Sequence, residues 1–170
     1  MKTVALLISL AMAPAVFGQS DLKAHVSAIN AETAAAYKKH DSNFFDQLFS
    51  PDFKAKDEHG ATLNKKAALF VVRFQLNSIR VTDYTATSKP LKLEKAQGTF
   101  VTEAKMVGIA PGRRGGPPSK VVITRKFSDL YQKRGTQWAL IYRAELLAPV
   151  VKVTPMVLLT PSKTLMKPGH

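Results

Sequence analysis

The sequence predicts an α+β fold in which three N-terminal helices pack on one face of a strongly curved antiparallel sheet. Three observations carry this expectation. Apolar residues recur at three- and four-residue spacing as far as Ser78, and beyond Ile79 the pattern changes to alternation rich in Thr, Val and Tyr. Two turn signals, Ala96-Gln97-Gly98 and Arg134-Gly135-Thr136, then divide the alternating half into hairpins.

The elements follow in order. From Ser20 to His40, the residues Leu22, Val26, Ile29, Thr33, Ala36 and Tyr37 form one stripe of a helix of about five turns, with Asp21 in its first turn, where a negative charge suits the helix dipole. Asp41 or Ser42 can cap a short second helix carrying Phe44, Phe45, Leu48 and Phe49, and Pro51 ends it because the residue before proline is pushed out of the helical region. Phe53 to Lys56 reads as a strand and Asp57 to Gly60 as a turn. Asn64 to Ser78, with Thr62 or Asn64 as N-cap and a broad apolar stripe, is the third helix.

Ile79 to Ser88 reads as a strand broken by Lys89-Pro90, with a short strand at Leu91 to Lys95. In Thr99 to Gly108, Phe100, Thr102, Ala104 and Met106 alternate against Val101, Glu103, Lys105 and Val107. Pro111 to Pro118 is a loop. Ser119 to Lys133 and Gln137 to Ala148 form a second hairpin, with Trp138, Leu140, Tyr142, Ala144 and Leu146 on one face. Residues 149 to 170 read as a tail able to lay one extra strand along the sheet.

With 170 residues, no linker and no repeat period, the chain has room for one domain, expected over residues 20 to 148. Lys2, the apolar run Val4 to Ala13, and small residues at Ala13-Pro14-Ala15 or Val16-Phe17-Gly18 read as a secretory signal over residues 1 to about 18. The run is too short to span a bilayer. Export to a bacterial periplasm or to the medium is the expected destination, and no transmembrane segment is expected in the mature protein. Cysteine is absent, which excludes disulfides, thiolate chemistry and Cys metal sites.

The net charge is +13. From Pro111 to His170, eleven Lys or Arg stand against Asp129 and Glu145, so the C-terminal third reads as the basic face. Outside the cytosol the polyanions such a face can meet are anionic lipid head groups and envelope polymers. The plainer reading is solubility alone. The Arg113-Arg114 step lacks interleaved aromatics, so no nucleic-acid partner is expected.

The run Leu48-Phe49-Ser50-Pro51-Asp52-Phe53 followed by Asp57 and Gly60, together with the later segment Asp129 to Trp138, resembles the nuclear transport factor 2-like superfamily, in particular its SnoaL-like branch and a related domain of unknown function in exported bacterial proteins. The similarity covers about Asp21 to Leu147. It implies a cone-shaped fold with an interior pocket, which some members use for catalysis and others for binding or dimerisation. The ketosteroid isomerases of this superfamily place a general-base Asp at the end of the first strand, which Asp57 matches. Their first-helix tyrosine falls near Thr33 rather than Tyr37, and their second acid falls at Ser128 or Asp129.

Asp57 and Asp129 are therefore the candidate catalytic pair, one carboxyl held protonated by an apolar wall while the other acts as base. The plainer alternative is that Asp57 caps its own turn and Asp129 faces solvent beside Arg125 or Lys126. Arg73, Tyr84, Tyr131, Trp138 and Tyr142 are candidate pocket residues, the aromatic ones otherwise simply core. Arg73, a charge on an apolar helix, must pair or reach water, and Asp57 or Asp129 would serve as partner. His25, His40, His59 and His170 share no ligand spacing, so no metal is expected, and no cofactor motif is present. The expected function is binding of a small apolar or amphipathic molecule in the cone of a homodimer. The alternatives are an isomerase or cyclase using Asp57 as proton-transfer base, and an envelope interaction module.

Overall fold

A computed structural model describes residues 17–112 and 116–156. The elements run α1 (Phe17–Lys39), α2 (Ser42–Leu48), β1 (Phe49–Lys56), β2 (Thr62–Asn64), α3 (Lys65–Ser78), β3 (Arg80–Leu93), β4 (Gln97–Ala110), β5 (Ser119–Arg134) and β6 (Gln137–Pro155). The leader expected over residues 1 to 18 lies outside the described residues except for Phe17 and Gly18, which open α1. Arg113, Arg114 and the end of the tail from residue 157 also lie outside them.

Local chemistry sets the helix boundaries. His40, at φ 55, takes the left-handed position after α1. His40 N–H donates to Tyr37 O and Asp41 N–H to Ala36 O, the paired closure of a Schellman motif. Asp41 then caps α2 by accepting from the N–H of Asn43 and Phe44, and Asn64 caps α3 by accepting from Ala67 N–H. His40 Nδ1 lies 2.8 Å from Leu76 O and ties the end of α1 to α3.

The six strands form one sheet in the order β2-β1-β6-β5-β4-β3. After β2 the chain crosses through α3 to the far edge and returns by the β3–β4, β4–β5 and β5–β6 connections. β6 therefore arrives beside β1 in parallel, the one parallel pairing among the described strands. The three helices cover its concave face.

The stripe Leu22, Val26, Ile29, Ala36 and Tyr37 of α1 is buried, as its spacing predicts, against Phe100, Met106, Tyr131 and Leu140 of the sheet. An aromatic row continues the core: Phe49 stacks on Phe53 at 4.2 Å, Tyr37 meets Phe45 edge-on at 5.0 Å, and Tyr37 stacks on Tyr84 at 4.9 Å. Buried Thr102 bonds Ser88, which Asn30 bonds in turn, so the one polar residue of the β4 core face is satisfied.

Three expectations change. β3 continues through Pro90 as one strand, with an irregularity between Pro90 and Lys92, because it is an edge strand whose outer side needs no N–H donor. β1 begins at Phe49, with Pro51 inside an irregular stretch between Phe49 and Lys54. Residues 149–155 are not an extra strand but the continuation of β6, which passes Pro149 at an irregularity and pairs Val150 to Pro155 with Thr124 to Ser119.

Gly108 of β4 pairs with Val81 of β3, and the backbone of Arg80 lies close against it. A β-carbon there would sit 2.8 Å from Arg80 O and would also run into Ile79. Because a backbone atom cannot swing aside as a side-chain tip can, Gly108→Ala is expected to cost about 1–3 kcal/mol. Urea unfolding measures this, and an unchanged midpoint would contradict the close approach of the two strands.

Candidate functional site

The strongest polar feature of the interior comes from a single extra residue. In β6, Leu140 lies opposite Tyr131 while Tyr142 lies opposite Leu130, so Ile141 has no partner of its own. Side chains alternate across a sheet, and one inserted residue reverses which of them face inward. Simple alternation from Trp138 and Leu140 sends Tyr142, Ala144 and Leu146 inward. The bulge instead brings in Arg143, opposite Asp129, and Glu145, opposite Phe127. On β5 the residues sharing that face are Arg125, Phe127, Asp129 and Tyr131.

Two ion pairs result, and they differ. Arg143 donates from Nε to Asp129 Oδ1 at 2.7 Å and from Nη2 to Oδ2 at 2.8 Å, a bidentate pair in which the Asp129 side chain is only 4% exposed. The same guanidinium lies 4.0 Å above the ring of Phe127. Burial works against the charge of Arg143, and the charge and hydrogen bonds of Asp129 outweigh it, so the group is held more firmly protonated than an ordinary arginine. Arg125 makes a single-armed contact from Nη2 to Glu145 Oε1, with the Glu145 side chain 5% exposed. Its Nε and the second Glu145 oxygen, Oε2, are buried and have no partner among the described residues.

These groups close one end of a cavity of about 320 Å³. Phe45, Phe49, Phe53, Ala68 and Val72 supply apolar wall, and Arg125, Arg143 and Glu145 the polar floor. Tyr37 and Gln75 also reach it. A narrower recess behind, lined by Thr33, Tyr84, Met106 and Phe127, shares Arg125 and Arg143 with it. Burial pushes the hydroxyls of Tyr37 and Tyr84 above the usual tyrosine range, so both remain neutral.

The expected site residues fall in several places. Asp57 lines the mouth of the cavity with Lys56 and Glu58, but its Oδ1 accepts from the N–H of His59 and Ala61 at 3.0 and 2.8 Å, the capped turn of the plainer reading. Asp129 is inside, yet both its oxygens are taken by Arg143 rather than by Arg125, Lys126 or solvent. Tyr84 lines the narrow recess. Tyr131 is buried, edge-on to Phe100 and His25. Trp138 lines a separate surface groove with His25, whose pKa is lowered by burial. Tyr142 sits on the face opposite Arg143, and Arg73 is exposed on another groove with Lys66, so neither reaches the cavity and Arg73 pairs with neither aspartate. Among the described residues no group of three or more His, Asp or Glu stands close enough to hold a metal ion, and no helix is long and apolar enough to cross a membrane.

Arg125, Arg143, Glu145, Tyr37 and Gln75 are site residues that sequence reasoning missed. The signal was the alternation of Arg125 and Asp129 with Phe127 and Tyr131, which places charges on the same face as core aromatics. Counting Arg125 and Arg143 toward a basic surface is corrected by their position inside, each against a carboxylate.

Arg143→Leu strands a buried Asp129 charge and is expected to cost about 3 kcal/mol or more, whereas Arg143→Leu with Asp129→Leu recovers most of that loss. Denaturant unfolding of the two variants measures the difference. Equal losses would show that the pair is not buried as described.

No protein family and no curated protein matches the chain by sequence. Solved structures do match its fold. A conserved protein from Planctomyces limnophilus superposes with TM-score 0.62 at 14% identity, over 77% of this chain and 99% of that one. Hexachlorocyclohexane dehydrochlorinase LinA-type3 from Novosphingobium barchaimii gives 0.57 at 11%, over 82% and 93%. A nuclear transport factor 2-like protein of unknown function in nutrient uptake from Rhodospirillum rubrum gives 0.52 at 13%, over 78% and 98%. With three helices packed on a six-stranded sheet, and with these structures superposing on it, the chain carries the nuclear transport factor 2-like fold that its sequence resembles.

Proposed function

We propose that the protein is exported and binds a small amphipathic molecule inside the cone, its apolar body against the phenylalanine wall and its polar end at Arg125 and Glu145. The observation that carries this is the cavity itself: its volume of about 320 Å³ lies in the range of small-molecule sites, and apolar walls meet a few convergent polar groups at one end. A neighbour named as a dehydrochlorinase of hexachlorocyclohexane shares the fold, which agrees with a small apolar guest. Export is supported by the leader-like N-terminus and the absence of cysteine.

A second reading, an enzyme of the isomerase or cyclase type, is favoured by one observation: Asp57 lines the same cavity. Its turn-capping bonds occupy Oδ1, which favours an orienting role over proton transfer in the resting site. A third, contact with an anionic envelope surface, draws on Phe70 and Phe74, 71% and 66% exposed one turn apart on α3 with Arg73 between them. A homodimer through the sheet belongs to the same proposal, and exposed Leu147, Val150, Val151 and Val153 of β6 supply apolar surface for it.

Native mass spectrometry of protein purified from its own envelope fraction tests the binding reading. One small molecule retained per subunit is expected, with occupancy unchanged in Asp57→Asn. A clean apo mass would overturn tight binding. Retained occupancy with abolished turnover of that molecule in Asp57→Asn would move the assignment to the enzyme.

A further inference from the structure

We infer that α3 seats the mouth of the cone on an anionic lipid bilayer, so that the guest passes between bilayer and cavity along this helix. The inference rests on the reading of the cone as a ligand cavity and names the partner that meets its mouth.

The outer face of α3 supplies the argument. Ala68, Leu69 and Leu76 turn into the core, as an amphipathic helix requires, yet Phe70 and Phe74 on the other side are largely exposed. Residues three and four apart are neighbours on a helix surface, so Phe74 stands beside both Phe70 and Val71. Val71 is 46% exposed and, with Ala68, Val72 and Gln75, lines the cavity. An apolar strip therefore runs from the cavity wall through Val71 to Phe74 and Phe70 at the surface.

Charge selects the partner. Along the exposed stripe Lys66, Phe70, Arg73, Phe74 and Asn77, rings alternate with cations and no acid intervenes. The groove alongside adds exposed Lys54, and its carboxylates are already engaged, Asp46 by Lys65 and Asp52 by Arg134. Lys54, Lys66 and Arg73 have no carboxylate partner among the described residues, and they outweigh the rim, where Lys56 stands with Asp57 and Glu58. A bilayer interface receives such a face: rings enter the boundary of head groups and chains while cations meet the lipid phosphates. A second copy docking through α3 would instead set like charges against each other. The net charge of +13 draws the whole molecule toward the same anionic surface.

Because the chain has no cysteine, one introduced thiol can carry an environment-sensitive dye at a chosen point. Protein recovered from its envelope fraction is mixed with vesicles of equimolar phosphatidylcholine and phosphatidylglycerol, or of phosphatidylcholine alone. Dye at Phe74→Cys is expected to shift to the blue on the mixed vesicles only. Dye at Leu91→Cys, equally exposed but on edge strand β3, is expected to report water throughout. Lys66→Glu with Arg73→Glu is expected to weaken vesicle binding by about twentyfold or more, about fivefold for each cation lost. Phe70→Ser with Phe74→Ser is expected to lose vesicle binding and, by native mass spectrometry, to leave the envelope with fewer cones filled. Binding to neither vesicle, equal binding to both, or a shift at Leu91 in place of Phe74 would overturn the inference and leave the ligand cavity standing. Undiminished filling in the Phe70 and Phe74 double variant would likewise overturn the route along α3. An empty cone in the unmodified protein would overturn both.

Discussion

The bidentate bond between Arg143 and Asp129 joins β5 to β6 at the depth of the core, and the layout of the interior follows from it. Arg143 reaches that position only because Ile141 is an unpaired insertion in β6. The same shift turns Glu145 inward beside Arg125 and turns Tyr142 out. With Asp129 neutralising Arg143 and Phe127 beneath its guanidinium, a second arginine can stand on the same face without net charge in a region otherwise lined by phenylalanine and tyrosine.

Four charged side chains in a core are an expensive way to hold two strands together. Well-packed hydrophobic residues of similar volume are often as stabilising as a buried ion pair or more so. Stability alone therefore explains Arg143 and Asp129 poorly, and it explains the half-made contact of Arg125 with Glu145 less well. A closed fork would have been the stable arrangement. Charged side chains gathered at one end of an apolar cavity, with neutral Tyr37 beside them, fit the reading of that cavity as a ligand site.

Much of the fold was legible because it rests on period. The α1 stripe from Leu22 to Tyr37, the alternation of Phe100 to Met106, and the caps at Asp41 and Asn64 are local signals that tertiary packing reinforces. Pro90 misled because its cost depends on whether a neighbouring strand needs its N–H, which no local pattern reveals. The site was far less legible. A β-bulge leaves no mark in a long strand of mixed apolar and polar residues, so alternation carried past Ile141 assigned Tyr142 to the pocket in place of Arg143. Asp57 was placed near the cavity by its strand-end position, while the demand of its own turn for a capping oxygen was equally readable at Gly60.

The most direct measurement is solution NMR of the arginine side-chain Nε–H groups. If the bulge at Ile141 turns Arg143 inward, its Nε–H, bonded to Asp129, is expected to exchange with water far more slowly than those of surface arginines and to lose that protection in Asp129→Asn. Rapid exchange at Arg143, indistinguishable from a surface arginine, would contradict the inward register of β6 and with it the polar floor of the cone.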